Sequence, residues 1–429
     1  MSTATEETPS SITLESLSES LRGFYVPRFE ILVEGAGLPG DVMKDVCELT
    51  YEDDVDNMDS FQIVVSNWDE RARKYKYIGS ETKEDLNSGG CDGSATGNGG
   101  AGAGGAQSSR AQMFEPCSKQ VRIRMGYGED LKTMITGFFT TMEPTFSGSG
   151  ASTLNVRGIN VLQRLRTKKY DDFFENKKPS EIARLVCQRR DRELNALRLP
   201  VEIVLDDDVE ENEKPIEQLW QRNEYSIDFL WKLARRVGYV LTLMEPQTPG
   251  ANPRLRFGPS NRGESLGESV YELQLGRSLI DFRPRITTAN QFKSVTVNGW
   301  NRRTQKRISE KVSFDDREMQ RLNSDLRYML CMCDAREELV VDEPVWTENQ
   351  AKERAKALLL DQQKQMVKVS ATTIGLPLLR AGTRVMITQV GARLSGTYFV
   401  TKTQHVFNDS GYITKFDARR EHVPTGGDA

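Results

Sequence analysis

The chain of 429 residues is predicted to be an α+β protein, mainly β. Three observations predict it. Leu378–Arg420 reads as short alternating strands punctuated by glycines, the mark of a half-buried antiparallel sheet. Two segments further upstream carry apolar residues at helical spacing. Strand-like stretches precede and follow those helices, an order that fits packed β-domains with helical insertions.

The elements follow in order. Residues 1–22 are rich in Ser, Thr and Glu, and a terminal segment of this make-up is expected to be flexible unless docked. Within it Ile12, Leu14, Leu17 and Leu21 have the rough spacing of a short amphipathic helix. The first clear strand is Phe29–Val33, with Pro27 just before it, where a missing N–H costs the ladder least. Further strands are expected at Val46–Tyr51 and Phe61–Ser66. Residues 88–112 are almost all Gly, Ala, Ser and small polar residues, which predicts a flexible loop inserted in a β-domain. Val121, Ile123 and Met125 alternate next, and Met134–Pro144 follows as a strand pair. Ser180 is placed to cap a helix carrying Ile182, Leu185 and Val186. A second helix places Ile227, Leu230, Trp231, Ala234 and Val237 on one face and stops at Gly238. Val295 and Val297 resume a strand, and a last helix over 347–366 opens with Thr347 and Gln350 at capping-box spacing. In the closing sheet Val385 and Ile387, then Thr397–Thr401, then Tyr412–Phe416 alternate, with turns near Gly382, Gly391, Gly396 and Gly411. Met134–Pro144 also echoes Val385–His405, in Met-Ile-Thr, then Gly, aromatic residues and Thr. Either strand composition or an old duplication accounts for that echo.

Composition removes several classes of function. The 58 basic residues nearly balance 62 acidic ones, so nothing favours bulk nucleic-acid binding. No apolar run reaches the length of a membrane helix. Residues 1–20 lack a basic start and an apolar core, which predicts no signal peptide, synthesis in the cytoplasm and reduced cysteines.

The search for chemistry yields no catalytic, cofactor-binding or metal-binding residue. The chain has two histidines, His405 and His422, and His405 reads as a packed strand residue. Cys331-Met332-Cys333 lacks two further ligands nearby for a soft metal, and Cys47, Cys91, Cys117 and Cys187 are scattered. Asp53, Asp54, Asp56 and Asp59 miss the glycine and terminal glutamate of a calcium loop, so a solvated loop is expected. The acidic run Asp206–Glu213 reads as surface or linker. The basic groups at Arg164–Lys169, Arg189–Arg192 and Arg302–Arg307 lack interleaved aromatic residues in sequence and read as solvated faces. Gly126-Tyr127-Gly128 has Leu131 where a dinucleotide fingerprint needs glycine.

Several stretches, in this order, resemble the phage late control protein D family. They are YVPRFEILVEG from Tyr25, VDNMDSFQIVVSNWD from Val55, VRIRMGYGEDLKTMITG from Val121 and NEYSIDFLWKLARRVGY from Asn223. GRSLIDFRPRITTANQFKSVTVNGW from Gly276 and the closing RAGTRVMITQVG and LSGTYFVTKTQH follow. The resemblance implies two tube-like antiparallel β-barrel domains with intervening helical segments, at 23–167 and 276–423, around a mixed middle region at 168–275. It implies the structural baseplate hub of a contractile injection system or phage-like tail, not an enzyme. Such a hub is a homotrimer that adapts a three-fold spike to a six-fold inner tube and nucleates tube assembly. Its expected partners are a spike on a separate chain, the inner tube protein and baseplate wedge proteins, with no cofactor. Assembly is expected in the cytoplasm, within a particle that is later released. A tail-associated cell-wall hydrolase is the alternative, and a receptor-binding fibre is disfavoured by the absence of repeats.

Overall fold

A computed structural model describes residues 26–79, 112–116, 119–148, 151–189, 201–205, 207–248, 251–260, 271–289, 291–314, 336–342, 345–391 and 393–421. The Gly-rich stretch to residue 111, residues 1–25, His422, and Cys91, Cys117, Cys331 and Cys333 lie outside them.

The N-terminal part holds β1 (Pro27–Val33), β2 (Ala36–Gly37), the short helix α1 (Gly40–Asp45), β3 (Val46–Asp54) and β4 (Ser60–Ser66). A small ribbon, β5 (Trp68–Asp69) with β6 (Lys74–Tyr75), comes next, then β7 (Gln120–Tyr127), β8 (Asp130–Thr145) and β9 (Thr153–Asn160). Alternation decides the faces: Val121, Ile123 and Met125 are buried while Arg122 and Arg124 reach outward. Together with Ile31, Leu49, Ile63 and Phe139 they form one core, each such side chain contributing roughly 1.5–3 kcal/mol by leaving water. Gly158 keeps strands β4 and β9 close, because a Cβ there would run into the Phe61 ring. Where the sequence pattern predicts a strand pair over Met134–Pro144, the chain forms the single long strand β8. Two bulges, at Met134 against β7 and at Thr140 against β9, bend it.

The middle part contains β10 (Lys169–Lys177), α2 (Pro179–Cys187), β11 (Glu202–Val204), α3 (Asp207–Asn212), β12 (Ile216–Tyr225), α4 (Ser226–Val237), β13 (Tyr239–Met244) and β14 (Arg254–Pro259). Helix α4 stops as expected at Gly238, which takes the left-handed conformation at φ 77°. Helix α2 begins differently from the sequence expectation. Its N-cap is Lys178, whose N–H donates to the Glu181 carboxylate at 3.2 Å. Ser180 lies inside the first turn and its N–H donates to Glu213 at 3.0 Å. A carboxylate from the acidic run thus does the capping that a local hydroxyl was expected to do.

The C-terminal part holds β15 (Tyr271–Gln274), β16 (Leu279–Ile286), β17 (Phe292–Asn301), β18 (Lys306–Ser313), β19 (Arg336–Val340) and α5 (Glu348–Lys364). β20 (Val367–Ile374), β21 (Arg384–Thr388), β22 (Gly396–Asn408) and β23 (Gly411–Arg420) complete it. Thr347 caps α5 by accepting the Gln350 N–H at 3.3 Å, but the Gln350 side chain accepts the Trp346 N–H, one residue earlier than a capping box requires. α5 packs Ala351, Ala355 and Leu359 against β17 and β18, in one core with Val385, Ile387, Tyr398 and Phe416.

The class is α+β and mainly β, as expected, with large antiparallel sheets. The barrels, however, are not closed among the described residues. Both halves belong to one 13-stranded sheet. Strand β22 makes this possible by changing partner along its length. Its first residues pair with β21 (Ile387↔Gly396 to Arg384↔Phe399), and Lys402–Asn408 pair with β3 of the other half (Lys402↔Asp54 to Asn408↔Glu48).

The two halves also repeat one strand order. In the first, neighbours run β3-β4-β9-β8-β7-β1; in the second, β16-β20-β23-β22-β21-β15. Counted in chain order within each half the two series are the same, except that β15 pairs with β21 in parallel where β1 pairs with β7 antiparallel. Corresponding strands β8 and β22 bulge at corresponding threonines. Thr140 donates its hydroxyl to the Arg157 carbonyl at 3.3 Å, and Thr401 donates to the Asp417 carbonyl at 3.1 Å. The Gly-aromatic-Thr part of the sequence echo falls on these matching strands. Its Met-Ile-Thr part does not, since Met134 lies in β8 and Met386 in β21.

Candidate functional site

Thr401 marks the place where β22 leaves β21 for β3, and a buried polar junction fills the gap. The loop between β20 and β21 carries Arg380 from the C-terminal half across to the N-terminal half. Its Nε donates to Asp53 Oδ2 at 2.7 Å, and its Nη2 donates to the Met134 carbonyl at 2.7 Å and to the Tyr51 hydroxyl. The Ala381 N–H and the Thr403 hydroxyl also donate to Asp53. Met134 has a carbonyl to offer because the bulge in β8 removes it from the ladder. The same bulge is read from the middle part: the Thr133 N–H donates to Gln247 at 2.9 Å, and the Thr136 N–H to Glu245 at 3.0 Å. Three parts of the chain therefore meet at one irregularity in one strand.

His405 extends the junction. Its Nε2 lies 3.0 Å from the Leu379 carbonyl, which only an N–H can satisfy, so Nε2 carries the proton. Nδ1 then accepts from the Tyr412 hydroxyl at 2.9 Å, and Thr414 lies at 3.1 Å. Burial lowers the His405 pKa to about 4 and keeps the ring neutral. Tyr127 of β7 donates to the Gly375 carbonyl at 2.8 Å and pins the other end of the same loop.

The charges are held by their neighbours. Burial alone would lower the pKa of Arg380, but Tyr51 and Asp53 outweigh it and hold the guanidinium charged. Asp59, buried and close to Asp53, is pushed far above the usual carboxylate range, first by burial and then by that like charge. The Asn160 side chain donates to it at 3.0 Å. Burial likewise raises Glu245. These groups bond to other parts of the protein, so the junction binds elements together.

On the opposite face of the same strands lies a shallow concavity of about 470 Å³. Two cross-strand rows line it. Glu52, Gln404, Lys415, Thr372 and Asp281 form one, and Lys402, Asp417, Ser370 and Arg283 the other. Two ion pairs lie within it, Lys402 with Glu52 at 3.2 Å and Arg283 with Asp281 at 2.8 Å, and the Ser370 hydroxyl donates to Asp417 at 2.6 Å. Pairs this wet contribute about 0–1 kcal/mol each.

Sequence reasoning located His405 as a packed residue and missed the rest. Asp53 and Asp59, expected in a solvated loop, are buried; Asp54 alone makes the turn, accepting the Asp56 N–H at 2.9 Å. In the acidic run, Glu210 grips Arg184 and Glu213 caps α2. The first basic group does have aromatic neighbours in space: Arg164 over Phe138, and Arg166 and Lys169 over Tyr225. Arg189 lies over Tyr170 and bonds Asp172 and Gln221. These rings serve the fold. Cys47 and Cys187 are free thiols, and among the described residues no group of His, Cys, Asp or Glu is arranged to hold a metal ion. No helix among them is long and apolar enough to cross a membrane.

The family model for the Alg8 N-terminal domain matches residues 97–409, nearly three quarters of the chain. The chain belongs to the Alg8 N-terminal domain family. No curated protein matches the sequence. Among solved structures, the 43 kDa tail protein of prophage MuSo2 from Shewanella oneidensis is similar at TM-score 0.60 and 16% identity, over 92% of this chain and 98% of that one. A tail protein from Neisseria meningitidis gives TM-score 0.61 at 13% identity, over 92% and 97%. A chain of a PdpA–VgrG complex gives 0.51 at 10%, over 92% of this chain and 65% of that one. At these identities the likeness establishes a shared fold, that of tail proteins.

Proposed function

We propose that this family member is a structural baseplate hub of a contractile injection system or phage-like tail, of the late control protein D kind. In this reading three copies form a homotrimer that joins a three-fold spike to a six-fold inner tube. The observation that carries the reading is the strand order repeated within one chain. Three copies supply six nearly equivalent arcs, which is the count a six-fold tube needs, while the remaining parts keep three-fold symmetry for the spike. The likeness to two tail proteins over almost their whole length supports it, as does a polar junction that ties the arcs into one mechanical unit. Residues 23–167 and 276–423 then act as the tube-facing domains and 168–275 as the region between them. Wedge proteins surround the hub, and assembly takes place in the cytoplasm before the particle is released. The role is structural, with no residue assigned to catalysis.

Light scattering on the purified chain, alone and with its spike and tube proteins, tests this. A trimer, free or induced by either partner, is the expected result. A monomer that ignores both overturns the reading.

A further inference from the structure

The internal repeat specifies more than a count. Within the chain, the two arcs join where Lys402–Asn408 of β22 pair with β3. In the other arc, the matching strand is β8, aligned by the matching bulges at Thr140 and Thr401, and the strand matching β3 is β16. Among the described residues both have an open edge. There β7 pairs with β8 only as far as Phe138, which leaves Phe139–Thr145 without a strand partner on that side, and β16 pairs with β20 and, beyond that, makes one bridge from Leu279 to Leu275.

We propose that β8 of one subunit docks against β16 of a second copy of this chain, in the register that β22 and β3 use within the chain. This rests on the hub reading and gives it an interface.

Carrying the register across the repeat sets Met142 opposite Ile286, Glu143 opposite Arg285, Pro144 opposite Pro284 and Phe146 opposite Phe282. The side chains fit that assignment. Phe407, the residue of β22 that corresponds to Phe146, is packed against Phe29 at 4.7 Å and joins the N-terminal core. Phe146 has one edge against Tyr75 at 5.0 Å and is otherwise 54% exposed, and Ile286, opposite Met142, is 38% exposed. Glu143 is half exposed, and its contacts within the chain, from the Asn155 side chain at 3.3 Å and Arg157 at 3.4 Å, are both long and exposed and both fall on Oε2, which leaves the carboxylate able to meet Arg285. The paired prolines have a definite effect. In the intrachain contact the matching residues, His405 and Tyr51, face each other in the ladder. Proline at both positions removes both N–H donors there, so side chains carry this contact more than backbone does. An interface of this kind closes a ring by contact, and it resists the open-ended strand addition that bare edges invite.

A photo-crosslinking residue at Phe146 in the full-length chain, assembled with its spike or tube partner, is expected to link to residues 279–286 of another subunit. Glu143→Arg is expected to weaken association about tenfold, and adding Arg285→Glu to restore it, since like charges set opposite each other repel. Crosslinks to any other segment in an intact trimer, or no rescue by the double variant, overturn this interface and leave the hub reading standing. Absence of any trimer overturns both. Circular dichroism on Glu143→Arg checks that the chain is folded, and neither side chain is buried.

Discussion

At the scale of single residues, His405 shows how burial sets a charge state. Its folded pKa of about 4 lies below the ordinary 6.5. Between those values the unfolded chain binds a proton that the folded chain refuses. Stability is therefore full above pH 6.5 and falls as pH drops toward 4, by about 3 kcal/mol at most. Thermal melts of the wild type against His405→Gln isolate the effect from other titrating groups, and the variant is expected to lose that component of the acid slope. Parallel slopes would mean that the ring is already exposed to solvent. Gly375 makes a different demand. A Cβ there would run into the Tyr412 ring, whose hydroxyl His405 depends on. Gly375→Ala is expected to cost roughly 1–3 kcal/mol in a denaturant titration, because a packed ring has nowhere to move.

At the scale of elements, the bulges in β8 and β22 do equivalent work. Each lets one long strand serve two neighbours by turning a threonine out of the ladder and bonding its hydroxyl across the strand pair. Thr140→Val and Thr401→Val are both expected to cost about 1 kcal/mol, as each removes one hydrogen bond. A large difference between them would show that the two bulges are not equivalent. Elements such as these were partly legible. β7 and β23 alternate over most of their length, because one face of each is the more exposed, and α4 carries its stop signal in Gly238. What sequence could not place were pairings between distant segments. Nothing near Asp53 reveals that its cation is Arg380, 327 positions away, so an aspartate in a polar loop looked solvated. Nor does Ser180 reveal that Glu213 from another segment will cap its helix. That the two tube-like β-domains share one sheet was hidden for the same reason, since only the β22–β3 pairing joins the two arcs.

At the scale of the whole molecule, the question is whether the two halves fold as one. Seven residues of β22 pair with β3, and Arg380 bolts the seam from the other side by reaching Asp53, Tyr51 and the Met134 bulge. A seam of that kind makes the opening of one half expose the edge and buried charges of the other, which couples their unfolding. The wild-type chain is therefore expected to show one calorimetric transition. Arg380→Met leaves Asp53 buried without its cation, a loss on the order of 3–5 kcal/mol for a buried pair. That loss falls on the seam and spares both apolar cores, so the variant is expected to melt in two steps. Fluorescence of Trp68, in the N-terminal half, should follow one step only. A single unshifted transition in Arg380→Met would mean that strand pairing alone joins the halves. In the proposed hub role, halves that yielded separately could not pass contraction force onward, so the buried bolt is where the rigidity of such a hub would be decided.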